Sequence, residues 1–308
     1  MLTSLSLRAT RMIALAALCA LGAAGAASAQ DGGYSHTYAG STGLFVNDAL
    51  GDGRDRWQSA SHQRSFFFAG AAAGEAVELR ARAQIVSPWT PSHQQGPDRP
   101  YSTVLGFGLF HHGAAGPLEF SMGGELVLQG DQTGLPRFQS FAHDALGLEN
   151  SYDPSSDDPH VPDRLTARTE FELGHRISFD EKAMLRPYGR LVAGADRKAM
   201  LGADLVLGAA AAAPRAARDV TTGQFLPQGA PQGFSLIAGA DISFVDTSMH
   251  IPEDSVVAPE DIQTRLRLGV EGNLGAMRIF AGQAWLGPPV FGQAEPQRVG
   301  LLSVNFAF

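Results

Sequence analysis

The chain of 308 residues has one cysteine, Cys19, and no excess of positive charge, with 23 Lys and Arg against 31 Asp and Glu. The single cysteine excludes a disulfide framework. The acidic balance, net −8, gives no basic surface of the kind that nucleic acid requires. After residue 29 no apolar run approaches the roughly 20 residues of a membrane-crossing helix. If the chain spans a membrane, it must therefore do so as a closed barrel, because only helices and closed barrels satisfy every backbone polar group in lipid.

What is present begins with Met1–Ala29. Arg8 and Arg11 precede an apolar run from Met12 to Ala27, and Ala27-Ser28-Ala29 ends it just before Gln30. That order of positive, apolar and small residues predicts a cleaved secretory signal peptide over 1–29. Cys19 lies inside it, preceded by Leu18 rather than the small residue a lipoprotein signal needs. Removing Arg8 and Arg11 leaves 21 basic residues against 31 acidic ones, so the net charge moves from −8 to −10. Residues 30–308 are expected to form a single domain.

The other end alternates. Phe308, Phe306, Val304 and Leu302 interleave with Ala307, Asn305, Ser303 and Leu301. A strand of this kind turns the first set to lipid and the second to a lumen. A terminal Phe on it looks like the signal read by the outer-membrane assembly machinery. An edge strand of a soluble β-protein would alternate in the same way, so the strand count matters too. The 36 Gly and 18 Pro suit short strands joined by turns. Twelve strands are predicted, near 40–49, 56–70, 76–88, 101–112, 117–129, 163–179, 183–195, 198–210, 232–245, 263–274, 277–287 and 298–308. In two of them Arg265 and Arg267 interleave with Leu266, Leu268 and Val270, and Arg186, Tyr188 and Arg190 with Leu185 and Leu191. The expected fold is an all-β, antiparallel up-and-down transmembrane barrel of a Gram-negative outer membrane, with both ends periplasmic.

Two segments break the rhythm. Between Pro136 and Leu148, Phe138, Phe141, Ala142 and Ala145 recur at helical spacing, with Pro136 near the start and Gly147 near the end. This predicts a short helix capping the barrel mouth. Ser151–Asp163 is a loop rich in Asp, Pro and Ser, and Ala209–Gly229 reads as a second long connection. His111 and His112 are neighbours in a strand and so point to opposite faces, which excludes a metal pair. Gly106 and Gly108 precede no helix and form no nucleotide loop. No Gly-x-Ser-x-Gly is present, which argues against a serine nucleophile.

Four patches, in order, resemble the lipid A 3′-O-deacylase family of outer-membrane barrels. They are Leu44-Phe45-Val46-Asn47-Asp48, Asp55-Arg56-Trp57-Gln58-Ser59, Pro97-Asp98-Arg99-Pro100-Tyr101-Ser102, and Gly130-Asp131-Gln132-Thr133-Gly134 continued by Phe138–Gly147. The chain departs from the family pattern at Val46, at Ser59-Ala60-Ser61, at Asp98 and at Ser102-Thr103. The resemblance implies a hydrolase that removes the 3′-linked acyloxyacyl group from lipid A of lipopolysaccharide, surrounded by outer-membrane lipid. It implies His143 as the base that activates water, four residues after Gln139 and so on the same helix face. It implies catalytic roles for Gln139, Asp48 and Ser59, and substrate binding by Arg99 and Asn47. It implies a calcium ion held by oxygen from Asp48, Asn47 and Glu149, six residues beyond His143. An arginine such as Arg99 suits a phosphate because its planar fork engages it bidentately. The competing reading is a non-enzymatic barrel, either a small-solute pore or an inactive structural relative.

Overall fold

Strand alternation becomes a closed wall in the computed structural model. It describes residues 37–54, 56–70, 74–89, 98–148, 150, 152–153, 158–229, 231–274 and 277–306. The expected signal peptide, Asp55, Pro97, Glu149 and the final Ala307-Phe308 lie outside the described residues.

The strands are β1 (Thr37–Asn47), β2 (Trp57–Ala69), β3 (Ala76–Ser87), β4 (Ser102–Ala115), β5 (Leu118–Gln129), β6 (Arg164–His175), β7 (Ile177–Asp180), β8 (Ala183–Gly194) and β9 (Arg197–Gly208). After them come β10 (Arg215–Arg218), β11 (Phe225–Gln228), β12 (Phe234–Thr247), β13 (Ile262–Leu274), β14 (Met277–Leu286) and β15 (Gln297–Phe306). β6 and β7 are one wall strand, interrupted where the Arg176 N–H leaves the ladder to donate to Pro117 O; both pair with β8. Sequential wall strands pair antiparallel, β9 pairs with β12 across the intervening hairpin, and β1 meets β15 with Phe45 opposite Leu302. The result is a twelve-stranded antiparallel barrel with one helix, α1 (Leu135–Leu146). That helix is far too short to cross a membrane, and no other described helix is long and apolar enough.

The two faces of the wall divide by chemistry. Leu266, Leu268 and Val270 are exposed on the outside, whereas Arg265 and Arg267 turn inward. Inside, charges are paired, as burial demands. Arg82 Nε lies 2.8 Å from Glu125, and Arg218 bridges Glu172 and Asp204 at 2.7 Å each. His112 faces inward and bonds Glu78 at 2.8 Å, while His111 packs on Phe120, so the two histidines do point apart.

Chain termini β1 and β15 share one end of the barrel, where β4 and β5, and β7 and β8, are joined by two-residue turns. The opposite end carries the long loops and α1. Outer-membrane barrels keep short connections on the periplasmic side and long loops outside, which is the orientation expected here.

One connection at the terminal end is not a turn. Residues 209–229 fold back into the lumen as the hairpin β10–β11. Ala217, Phe225 and Leu226 are buried against inward-facing Leu44, Val46, Phe67 and Ile237. Polar groups fix it as well: Gln63 Nε2 donates to Arg218 O at 3.0 Å, and Arg265 Nη1 to Thr221 O at 3.1 Å. The expected long connection is therefore a plug, and the lumen is partly apolar where the plug packs.

Candidate functional site on the outer face of the wall

Asn47, Ser59, Ser87 and Tyr101 belong to four neighbouring wall segments at the end that bears the long loops. The inside–outside alternation of β1, β3 and β4 sets Leu44 and Val46, Arg82 and Gln84, and Val104 inward, and so turns Asn47, Ser87 and Tyr101 outward. Ser59 joins them through a β-bulge. The β2–β3 register shifts between Gln58 and Ala60. Gln58 points inward, accepting from Gln84 Nε2 at 2.7 Å, and the extra residue, Ser59, is turned out. Re-aiming one side chain is what a bulge does. The Ser59 hydroxyl then donates to Ser87 Oγ at 2.9 Å.

Asn47 holds the next turn of chain. Its Oδ1 accepts from Ala49 N at 2.9 Å, capping the 3-10 turn Asp48–Leu50, and its Nδ2 donates to Ser59 O at 2.9 Å. Buried Asp48 accepts from the Arg56 N–H at 2.8 Å. This turn lies flat on β15 because Gly300 leaves room: a Cβ there would sit 2.3 Å from Leu50 Cβ. Beside it the Arg56 guanidinium stacks between Trp57, 3.7 Å to the ring centroid, and Trp89, 4.3 Å.

Helix α1 covers this row. Gly134 and Gly147 flank it with φ of 71° and 66°, and Pro136 occupies its first turn. Gln139 and His143, one turn apart, are both buried. Tyr101 donates its hydroxyl to Gln139 Oε1 at 2.6 Å, and Gln139 Nε2 reaches Ser87 Oγ at 3.5 Å, a weak contact. Tyr101 also stacks on Tyr152, with centroids 4.2 Å apart, and these rings pack with Ile85 and Leu135 beneath the helix. Asp131, bonded to the Tyr152 hydroxyl, adds to the burial that raises that phenol to about 12.

The structure thus joins Asn47, Ser59 and Gln139 through direct contacts and Ser87, with Asp48 next to Asn47 and His143 on the Gln139 face. It does not bring Arg99 into that row. Arg99 bonds Asp98 at 3.3 Å and Gln293, and it lines a cavity of about 140 Å³ inside the barrel mouth with Gln58, Arg82, Lys198 and His250. Burial there lowers its guanidinium to about 10. In the same cavity wall, His250 Nδ1 lies 2.9 Å from Ser102 Oγ, and burial lowers the imidazole to about 4.

Sequence reasoning missed Ser87 and named Tyr101 only within the third patch, with no role in the site. Ser87 was findable: it follows Ile85 at period two, on the outward side of β3. As for a metal, Asn47 and Asp48 offer the oxygen chemistry a hard cation takes. Among the described residues no three His, Cys, Asp or Glu side chains converge, and Glu149 lies outside them.

No protein-family model and no curated protein matches the chain. Among solved structures, LpxR from Salmonella typhimurium superposes with a TM-score of 0.72 at 16% identity, covering 87% of this chain and all of that one. The beta domain of the Bordetella autotransporter BrkA gives a TM-score of 0.45 at 11% identity, over 87% of this chain and 99% of that one. At such identities the likeness to LpxR shows the fold: this chain is an outer-membrane-type barrel of twelve strands and one helix.

Proposed function

We propose that the protein is an outer-membrane ester hydrolase that removes the 3′-linked acyloxyacyl group from lipid A. The observation that carries this reading is the polar row Asn47, Ser59, Ser87 and Gln139, buried on the lipid side of the wall under the helix that bears His143. Polar groups on that side cost several kcal/mol each when unsatisfied. A set of them gathered there, sealed from the lumen by the wall, suits a substrate that is itself a membrane lipid. The four sequence patches that resemble the lipid A 3′-O-deacylase family, and the likeness of fold to LpxR, support the same reading.

In this mechanism His143 takes a proton from water, and the oxygen attacks the ester carbonyl carbon. The tetrahedral intermediate collapses with loss of the 3′-oxygen, which recovers the proton from His143. Gln139, fixed by the Tyr101 hydroxyl, and Ser59, fixed by Ser87, hold the helix and the wall at the spacing the ester needs. Asn47 orients the sugar, and Arg99 engages a phosphate that reaches over the rim. Calcium, held by Asp48, Asn47 and Glu149, would supply polarisation of the ester carbonyl.

Lipid A mass spectra from cells expressing the protein test this directly, against His143→Ala. Loss of the 3′ chains with wild type alone is expected. Identical spectra with calcium present would leave an inactive relative. The pore alternative has the lumen against it, because β10–β11 fills it.

A further inference from the structure

Helix α1 has three faces rather than two. At 100° per residue, Gln139 and His143 lie about 40° apart and Phe138 and Phe141 about 60° apart, with the two pairs on nearly opposite sides. The polar pair is buried against the wall. The aromatic pair is uncovered: Phe138 is 46% exposed and Phe141 69%. Exposed Ala145 falls between the two phenylalanines, and exposed Arg137 and Asp144 occupy the remaining sector. A helix lying on a water-soluble protein would bury the phenylalanines and expose the glutamine and histidine. Here the order is inverted.

The outer face of the barrel exposes apolar side chains as well. After α1 the chain re-enters the wall at β6, whose first outward side chain, Leu165, is 67% exposed and pairs across the ladder with Leu128. Leu126, on the same outward face of β5, is 58% exposed. Such residues are the lipid-facing band of a membrane barrel.

We propose that α1 is an interfacial helix, lodged at the outer boundary of the bilayer with Phe138 and Phe141 among lipid acyl chains and Arg137 and Asp144 in water. The occupant of its apolar face is membrane lipid, not a protein partner, because the helix packs on the outward side of the wall, through Leu135 on Ile85 and Tyr101 and through Gln139 on Ser87, where outward side chains meet lipid. The helix is then held from both sides, by the wall through Gln139 and by the bilayer through the phenylalanines. This goes beyond the hydrolytic reading and stands without it.

Cys19 is the only cysteine, so spin labels can be placed singly once it is changed to Ser. The variants Phe141→Cys, Phe138→Cys and, as control, Asp144→Cys would be labelled and refolded into vesicles of phosphatidylcholine and phosphatidylglycerol. Heat-modifiable gel migration would verify the barrel. Oxygen, which partitions into lipid, is expected to relax the labels at 138 and 141 several-fold more, relative to a water-soluble nickel chelate, than the label at 144. Equal ratios at the three positions would overturn the proposal by placing the whole helix in water. Labels at 138 and 141 reached by neither reagent would overturn it as well, by showing protein over that face. The readout involves no hydrolysis, so an inactive enzyme would leave it unchanged.

Discussion

The Ser59 hydroxyl donates to the Ser87 hydroxyl at 2.9 Å on the outside of the barrel, where a strand of regular register would have turned Ser59 elsewhere. The bulge that turns Ser59 outward is thus the local feature on which the candidate site depends. Ser59→Ala, which removes that bond and keeps the bulge, is expected to lower deacylation while the barrel still folds, as judged by lipid A mass spectra and heat-modifiable migration.

Replacing Tyr101 by Phe removes one hydroxyl and leaves its stacking on Tyr152 intact. The lost bond to Gln139 is worth about 1 kcal/mol. Activity is expected to fall about fivefold, chiefly in kcat, with little change in thermal stability. An unchanged kcat would remove Gln139 positioning from the mechanism.

His143→Gln keeps the size and hydrogen-bonding of the side chain but not its proton chemistry. A loss of about 100-fold or more in hydrolysis is expected. Mass-spectrometric assay of purified protein with lipid A measures it.

The plug predicts silence in planar bilayers. Wild type is expected to show no steady conductance, whereas a variant with residues 214–229 replaced by a short Gly-Ser linker is expected to conduct. Arg218→Met, which keeps the plug and leaves Glu172 to Arg186 and Asp204 to Arg267, is expected to cost about 1–3 kcal/mol in urea unfolding.

Buried His250 gives stability a pH dependence. Burial outweighs Asp196, and Arg82, Lys198 and Arg99 oppose protonation further, so the folded imidazole titrates near 4 rather than at its usual 6.5. The unfolded chain therefore binds a proton that the folded one refuses. The contribution is complete above about pH 6.5 and is lost as pH falls toward 4. Unfolding midpoints at pH 7 and 4.5 should differ more in wild type than in His250→Gln.

The wall was legible because charge alternation at Arg265–Arg267 and Arg186–Arg190 has only one arrangement in a membrane barrel. The helix was legible from Pro136, Gly147 and the spacing between them, but its seat was not: it lies on outward-facing Tyr101, Ser87 and Ile85 and does not cap the barrel mouth. Two further features were not. The plug segment reads as a connection, because Ala-rich and turn-rich residues carry no period, and only the inward Leu44 and Val46 betray that something apolar fills the lumen. The second was the position of Arg99. It sits in a family-like patch yet faces the lumen cavity, since Pro100 and the loop partners Asp98 and Gln293 set its direction rather than strand parity.

The hairpin in the lumen is gripped by Gln63 on β2 and Arg265 on β13, which flank the seam where β1 and β15 meet. It therefore acts as an internal brace. Opening the barrel along that seam would break the β1–β15 ladder and pull both anchors from the hairpin at once. Closure of the first strand on the last is thereby coupled to a segment that arrives from the middle of the chain.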